Sequence, residues 1–235
     1  MPEVSAIANR LKYVQRSRAA LQAAALLIIG LLAGLGYASD GPDVPNQPPR
    51  GLDPSSGGSC HVTDRSFDRS VTVPAGTDCV FTNVRIDGDL VISPGASVEM
   101  TGGEVDGDVL VYAGAVFIAH RTEIDEDIEA DGAIRIELNG AEVDGDVDVI
   151  RTELLVIDGG SVDGDIEALS GGAVYITGVQ IDDDVEIHGN SGEIVVSNNV
   201  LDDDLECSGN SVAPTGSNNR IDGDAEGQCR GLGRR

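Results

Sequence analysis

Aspartates one residue apart recur along this chain, in segments such as IDGDLVI at 86–92, VDGDVLV at 105–111 and VDGDVDV at 143–149. The first aspartate of each repeat stands at Asp68, Asp87, Asp106, Asp125, Asp144, Asp163, Asp182, Asp202 and Asp222, at intervals of 19 residues that lengthen to 20 in the last two steps. A constant period near 20 is typical of stacked supersecondary units. Stacking would align the carboxylates in columns with a spacing of about 4.8 Å. The chemistry that this pattern predicts is cation binding.

The second aspartate of each pair forms a second predicted column, from Asp89 to Asp224, with Ser70 at its start. Calcium takes about six to eight oxygen ligands, and two neighbouring coils would offer it four carboxylates. The candidate metal ligands are Asp87, Asp89, Asp106, Asp108, Asp125, Asp127, Asp144, Asp146, Asp163, Asp165, Asp182, Asp184, Asp202 and Asp204. The alternatives left open are a solvated acidic face that keeps the protein soluble and partial protonation of aspartates at a corner.

The charge balance limits the partners. With 41 acidic and 15 basic residues, the formal net charge is −26. Such a charge excludes a nucleic acid bound through its phosphates and disfavours an anionic membrane surface. We therefore expect cations as partners, together with cell-surface molecules or further copies of this chain.

Apolar residues at fixed positions around each repeat predict the fold. One residue before the first aspartate stand Phe67, Ile86, Val105, Ile124, Val143, Val162, Ile181, Leu201 and Ile221, and further apolar columns lie three residues after it and eight before it. Between these columns the pattern alternates with period two among β-branched residues, which is typical of strands. We predict an all-β fold, a single-stranded right-handed parallel β-helix (solenoid) of about nine coils with three short strands in each. The glycine between the paired aspartates is expected at a corner with positive φ.

The N-terminal segment predicts export. Basic residues precede the apolar run AALQAAALLIIGLLAGL at 19–35 and small residues follow it, as in a secretory signal, although the run is also long enough for a membrane helix. Residues 1–38 are therefore interpreted as a hydrophobic helix that acts as signal peptide or membrane anchor, with membrane contact only through 19–38 if it is not cleaved. We assign 39–59 to a Pro-rich linker, 60–229 to the β-helix and 230–235 to a disordered tail. The expected location is extracytoplasmic: secreted, periplasmic or cell-surface.

Four cysteines provide an independent check of the register. Cys60 and Cys79 are one period apart, so stacking brings their Cα atoms within disulfide distance, and Cys207 and Cys229 are 22 residues apart near the last coil. We predict the disulfides 60–79 and 207–229, one near each end, which agrees with an oxidising compartment. The rival interpretation, a metal site, lacks the usual CxxC or CxxH spacing.

The repeated V-x-G-D/N-V coil and the closing segment CSGNSVAPTGSNNRIDGDAEGQC at 207–229 resemble the small secreted right-handed β-helix proteins of bacteria. The coil also resembles bactofilins, which are polymer-forming cytoskeletal proteins, but those lack an export signal and paired cysteines. The resemblance implies the fold and leaves the activity open.

Three functions follow from these observations. We favour an exported structural or interaction protein with an acidic ladder that binds Ca²⁺. A carbohydrate-active enzyme, similar to a polysaccharide lyase or hydrolase, is the first alternative, because DDD occurs at 182–184 and 202–204 with His188 nearby. Basic side chains along the aspartate columns and an aromatic platform for sugars are not evident, so no catalytic residue is predicted. An extracytoplasmic polymer is the second alternative.

Overall fold

The structure, a computed structural model, describes residues 58–233, and these form a parallel β-solenoid of about nine coils. The predictions of a signal peptide or anchor at 1–38 and of most of the linker at 39–59 lie outside the described residues. Ser59, assigned to the linker, is the first residue of the first strand. The right-handed sense of the coil stays a prediction.

Two parallel sheets of 12 and nine strands make up the solenoid. The strands are β1 Ser59–Phe67, β2 Val71–Val73, β3 Asp78–Ile86, β4 Leu90–Ile92, β5 Ser97–Val105, β6 Val109–Val111, β7 Val116–His120, β8 Glu123–Ile124, β9 Ile128–Asp131, β10 Arg135–Val143, β11 Val147–Ile150, β12 Leu154–Val162, β13 Ile166–Leu169, β14 Ala173–Thr177, β15 Gln180–Ile181, β16 Val185–His188, β17 Ile194–Ser197, β18 Val200–Leu201, β19 Leu205–Ser208, β20 Arg220–Ile221 and β21 Ala225–Gly227. The larger sheet has the path β1-β3-β5-β7-β10-β12-β15-β18-β20, and the smaller one has β2-β4-β6-β9-β11-β13-β16-β19-β21.

The register equals the sequence period. Asp78 to Ile86 of β3 pair in order with Ser97 to Val105 of β5, and Val147 of β11 pairs with Ile166 of β13. Each step along a sheet therefore moves 19 or 20 residues along the chain. Equivalent residues of successive coils lie next to each other, as the repeat predicts.

The predicted apolar columns form the core. In β4, Leu90 and Ile92 are buried while Val91 between them is half-exposed, and Ile86 and Val98 are fully buried. Apolar side chains alternate inward along most strands, and together they form one core cluster along the solenoid. The prediction of an all-β parallel solenoid of about nine coils is confirmed.

Asparagines fill the core near the C-terminal end. The Asn210 Oδ1 accepts hydrogen bonds from the backbone N–H and the side-chain amide of Asn190, at 2.9 and 3.3 Å. Asn219 does the same for Asn199, at 3.1 and 3.2 Å. All four side chains are buried, and stacking satisfies polar groups that would otherwise destabilise the interior.

The chain end covers the last coil. Leu232 is 9% exposed and belongs to the core, and its carbonyl accepts a hydrogen bond from the Asn219 amide at 3.0 Å. Residues 230–233 of the expected tail at 230–235 are described, and Leu232 among them packs on the core; the boundary of the tail stays a prediction. The predicted disulfides are both formed, with Cα–Cα distances of 4.5 Å for Cys60–Cys79 and 5.3 Å for Cys207–Cys229.

Candidate cation-binding face

The paired aspartates form the turn between the two sheets. In one coil β3 ends at Ile86 and β4 begins at Leu90, and the three residues between them are Asp87, Gly88 and Asp89. The equivalent turn recurs in each coil, so the 14 predicted metal ligands lie in two parallel columns, and all are exposed or half-buried. We call these the first and second Asp columns. Strands that contribute to the core flank each of these turns.

The second Asp column caps the backbone of the stack. The Asp146 Oδ1 accepts a hydrogen bond from the backbone N–H of Asp165 in the next coil, at 2.8 Å. Five equivalent bonds run from a backbone N–H to the Oδ1 of the aspartate in the preceding coil. In donor–acceptor order they are Asp127–Asp108 at 3.3 Å, Asp146–Asp127 at 2.9 Å, Asp184–Asp165 at 3.0 Å, Asp204–Asp184 at 2.9 Å and Asp224–Asp204 at 2.7 Å. At the first coil the hydroxyl of Ser70 accepts the N–H of Asp89 at 3.0 Å. The second aspartate thus has a structural role, because one of its carboxylate oxygens caps the backbone of the next coil.

Crowding explains the glycine between the two aspartates. A Cβ at Gly107 would lie 2.6 Å from the Asp89 Oδ1 and 2.8 Å from the Gly88 carbonyl carbon. The predicted positive φ at this glycine is wrong, since positive φ occurs at other positions of the coil, such as Asn83, Gly102 and Arg121. Glycine avoids these close contacts, although Asp183 and Asp203 stand at the equivalent position in turns whose capping bonds are 3.0 and 2.9 Å. Where Glu126 replaces the glycine, the capping bond is the longest of the set.

Arginine does reach the first Asp column. The Arg85 guanidinium donates to Asp87 at 3.0 Å, to Asp106 at 2.7 Å and to Glu104, and Arg220 pairs with Asp222 at 2.6 Å. The expectation that no basic side chain lies along the columns is wrong. Each of these arginines stands two residues before a first-column aspartate, on the same outer face of its strand.

Glu104, Asp106 and Asp125 come together near Arg85. One carboxylate oxygen from each lies within 4.8 Å of the other two. Desolvation, as the largest cause, raises the pKa of Glu104 against the effect of Arg85, and desolvation followed by repulsion from Asp106 raises the pKa of Asp125. The Asp106 Oδ1 is buried and has no hydrogen-bond partner among the described residues. This group has the oxygen donors that a hard divalent cation requires.

Asp184, Asp203 and Asp204 form a second such group, again with oxygens within 4.8 Å of one another. Repulsion from Asp184 is the largest cause that raises the pKa of Asp203. Neither group combines the first and second Asp columns as the sequence analysis expects. One takes Asp106 and Asp125 from the first column, and the other takes Asp184 and Asp204 from the second. The remaining ten predicted ligands lie in the turns without joining a three-carboxylate group of this kind within residues 58–233.

A third acidic column, which the repeat of paired aspartates does not predict, lies on the outer face of the nine-stranded sheet. Its members are Glu129, Asp148, Glu167, Glu186, Glu206 and Glu226, each paired in register with the next. We call this the sheet column. Its sequence signal is an acidic residue four positions after the first aspartate, which begins only in the fourth coil because Thr72, Val91 and Leu110 stand there earlier.

The sheet column is electrostatically strained. Desolvation, followed by repulsion from Glu167 and Asp146, raises the pKa of Asp148 to about 7. Desolvation is also the largest cause that raises the pKa of Glu129 and of Glu206. Because the second Asp column and the sheet column share one face, each carboxylate there lies in the field of several others. A cation on this face would relieve that repulsion.

A cavity of about 590 Å³ lies on the outer surface of the larger sheet. It is lined by Asn83, Arg85, Gly103, Glu104, Arg121, Thr122, Glu123, Gly140 and Glu142. Glu104, Glu123 and Glu142 are stacked in register. The cavity therefore combines guanidinium and carboxylate groups without apolar side chains.

Comparisons with protein-family models, with curated proteins and with solved structures found no match for this chain. The likeness to small secreted β-helix proteins and to bactofilins thus stays a prediction for the family, although the solenoid itself is observed. Within 58–233, the structure contains no helix that is long and apolar enough to cross a membrane.

Proposed function

We propose that this chain is an exported structural or interaction protein whose acidic face binds divalent cations, with Ca²⁺ as the main ligand. The observation that carries the proposal is the in-register stacking of carboxylates in three columns on a rigid solenoid. Like charges about 4.8 Å apart repel by roughly 3.5 kcal/mol at an effective dielectric constant of about 20. A divalent cation shared between neighbouring coils removes this repulsion without any change in the backbone.

The two three-carboxylate groups are the proposed primary sites. Their oxygens lie within 4.8 Å of one another, which is close to twice the calcium–oxygen distance of about 2.3–2.6 Å. At the first group the buried Asp106 Oδ1 has no hydrogen-bond donor, so a cation there would supply the missing partner. At the second group the acidic residues have no arginine partner in the described ion pairs, so the full carboxylate charge is available.

Export is supported by the two disulfides, because such bonds persist mainly in oxidising compartments. The two disulfides join neighbouring coils near both ends of the described solenoid. Together with the predicted N-terminal signal or anchor, they favour a role outside the cytoplasm, in which a stable, cation-loaded surface contacts the cell surface or a second copy of the chain.

Calcium titration of a variant tests the assignment of sites. We expect Asp184→Asn/Asp203→Asn/Asp204→Asn to lose at least one equivalent of bound Ca²⁺ in calorimetry. The matched control, Glu99→Gln/Glu153→Gln/Glu193→Gln, removes the same charge outside the columns and should keep the wild-type stoichiometry. Equal stoichiometry in both variants would contradict the assignment.

A second function, recognition of a carbohydrate, is favoured by the cavity at Arg85 and Arg121. Guanidinium and carboxylate groups can form paired hydrogen bonds with sugar hydroxyls or with sugar carboxylates. Arg85 also lies beside Asp87 and Asp106, the arrangement of a basic residue next to paired acids that the enzyme alternative requires. Titration with acidic and neutral oligosaccharides tests it: binding should be lost in Arg121→Ala and kept in Arg69→Ala, an exposed arginine that does not line the cavity.

The polymer alternative receives less support. End-to-end assembly requires an open coil at each end to pair with another chain. At the C-terminal end Leu232 is packed on the core and Cys229 is bonded to Cys207. This cover closes one of the two surfaces that a head-to-tail polymer would use.

A further inference from the structure

One histidine lies between two members of the sheet column. Glu186 and His188 are two residues apart on β16, and Glu206 and Ser208 are their in-register partners on β19. In a strand, side chains two residues apart point to the same face. The four side chains therefore occupy the corners of one small rectangle on the outer face of the nine-stranded sheet.

The imidazole is oriented within this rectangle. Its Nδ1 lies 2.8 Å from the Ser208 Oγ. Its Nε2 lies 3.6 Å from the Glu186 Oε2 and 4.0 Å from the Glu206 Oε2. The side chains of His188 and Glu186 are 26% and 23% exposed, so two core strands and their neighbours restrict their motion.

The distances from the His188 Nε2 to the two glutamate oxygens are close to the ligand–ligand distances in a metal centre. Two ligands of a tetrahedral zinc ion, each about 2.1 Å from the metal, are roughly 3.4 Å apart. The two histidine–carboxylate separations exceed this value by less than 1 Å. The three ligand atoms do not all lie within 4.8 Å of one another, so the two glutamate side chains must rotate towards each other to share an ion. The second ring nitrogen of a metal-binding histidine commonly forms a hydrogen bond that fixes the orientation of the ring. The Ser208 hydroxyl provides this bond to the His188 Nδ1.

We propose that His188, Glu186 and Glu206 form a site for one divalent transition-metal ion of the Zn²⁺ class, with Ser208 as the positioning residue. A water molecule completes a four-coordinate shell. Glu167 and Glu226, the next members of the sheet column on either side, add negative potential that attracts the cation. The site is chemically distinct from the calcium sites, because calcium selects oxygen ligands whereas zinc binds imidazole nitrogen well.

Titration of the oxidised full-length protein with ZnCl₂ in excess CaCl₂ tests this site, because calcium occupies the all-oxygen positions. We expect one equivalent of Zn²⁺ to bind, with an affinity that falls at least tenfold in His188→Gln and about 10- to 100-fold in Ser208→Ala. The matched control is His120→Gln. His120 also has a neighbouring amide and a carboxylate, at 3.2 Å from Asn139 and 4.0 Å from Glu99, but lacks the second acidic ligand.

Cobalt provides a structural readout. Co²⁺ in a four-coordinate site with a nitrogen ligand should give visible absorption that Zn²⁺ removes and that is lost in His188→Gln. Equal Zn²⁺ affinity in the wild type and His188→Gln, or no Zn²⁺ binding at all, would overturn the proposal. His188→Gln should keep its Ca²⁺ stoichiometry, so failure of the zinc site and failure of the calcium sites give different results.

Discussion

The carboxylate of Asp146 accepts the backbone N–H of Asp165 in the next coil at 2.8 Å. This bond relates two members of one column, and its repetition along the solenoid explains why the second aspartate recurs. The oxygen is needed as an acceptor, and its negative charge is an electrostatic cost unless a cation balances it. The acceptor and the charge can be separated by mutation.

Asp146→Asn should keep the acceptor and remove the charge, whereas Asp146→Ala should leave the Asp165 N–H without its partner. We expect Asp146→Ala to lower the free energy of unfolding by about 1–3 kcal/mol. Asp146→Asn should be neutral or stabilising in the absence of divalent cations. Chemical denaturation of both variants checks this, and equal destabilisation by Asn and Ala would show that the charge is what matters.

Gly107→Ala tests the steric role of the middle glycine. The new Cβ would lie 2.6 Å from the Asp89 Oδ1, so the Asp89 carboxylate or the turn must move. We expect a loss of about 1–3 kcal/mol in the free energy of unfolding, as for an overpacked core position. Gly76→Ala is not a suitable control because its φ is positive. Gly231→Ala is suitable, since no atom lies within 4 Å of its added Cβ, and it should leave stability unchanged.

Asp148 should make stability depend on pH. Its pKa is raised from the ordinary range of an aspartate to about 7 in the folded protein, so the folded state binds the proton more tightly than the unfolded state. The free energy of unfolding should therefore fall as pH rises from about 4 to about 7 and change little from this group beyond that.

Asp148→Asn mimics the protonated form and should remove this dependence. At about pH 8 we expect it to raise the free energy of unfolding by roughly 2 kcal/mol, after allowance for solvent screening, or the thermal midpoint by about 4–8 °C. At about pH 4 it should have little effect. The control is Asp68→Asn, an exposed residue outside the sheet column. A stabilisation that is the same at both pH values would argue against the raised pKa.

Reduction of the disulfides should destabilise both ends of the solenoid. The two bridges close loops of 19 and 22 residues, which corresponds to about 3 kcal/mol each if loop entropy dominates. Cys207→Ser/Cys229→Ser should show about half of the loss in the free energy of unfolding that full reduction causes. If reduction leaves the unfolding curve unchanged, the disulfides do not contribute to stability.

The repeat made the fold predictable because a solenoid converts sequence period directly into spatial neighbours. Ile86 and Val105 are one period apart, and the strands that contain them pair in that register. The same reasoning placed Cys60 beside Cys79. The buried stack of Asn190 and Asn210 follows from the same 20-residue spacing.

Other features were not predictable from residue columns. The capping bond between Asp146 and Asp165 and the crowding at Gly107 depend on distances of about an ångström, which the period does not contain. The sheet column is difficult to recognise in the sequence because its acidic residues begin only in the fourth coil. The packing of Leu232 on the core lies outside the repeated columns, so the period does not predict it.

Calorimetric titration of the purified oxidised protein with CaCl₂, at low ionic strength and in about 0.5 M NaCl, tests the central claim most directly. The Debye length is only roughly 4 Å at the higher salt concentration, so diffuse attraction to the acidic face disappears while direct coordination remains. We predict saturable binding of at least two Ca²⁺ ions that persists in high salt. Heat that vanishes with NaCl would show that the carboxylate columns are a solvated surface, and would contradict the proposed function.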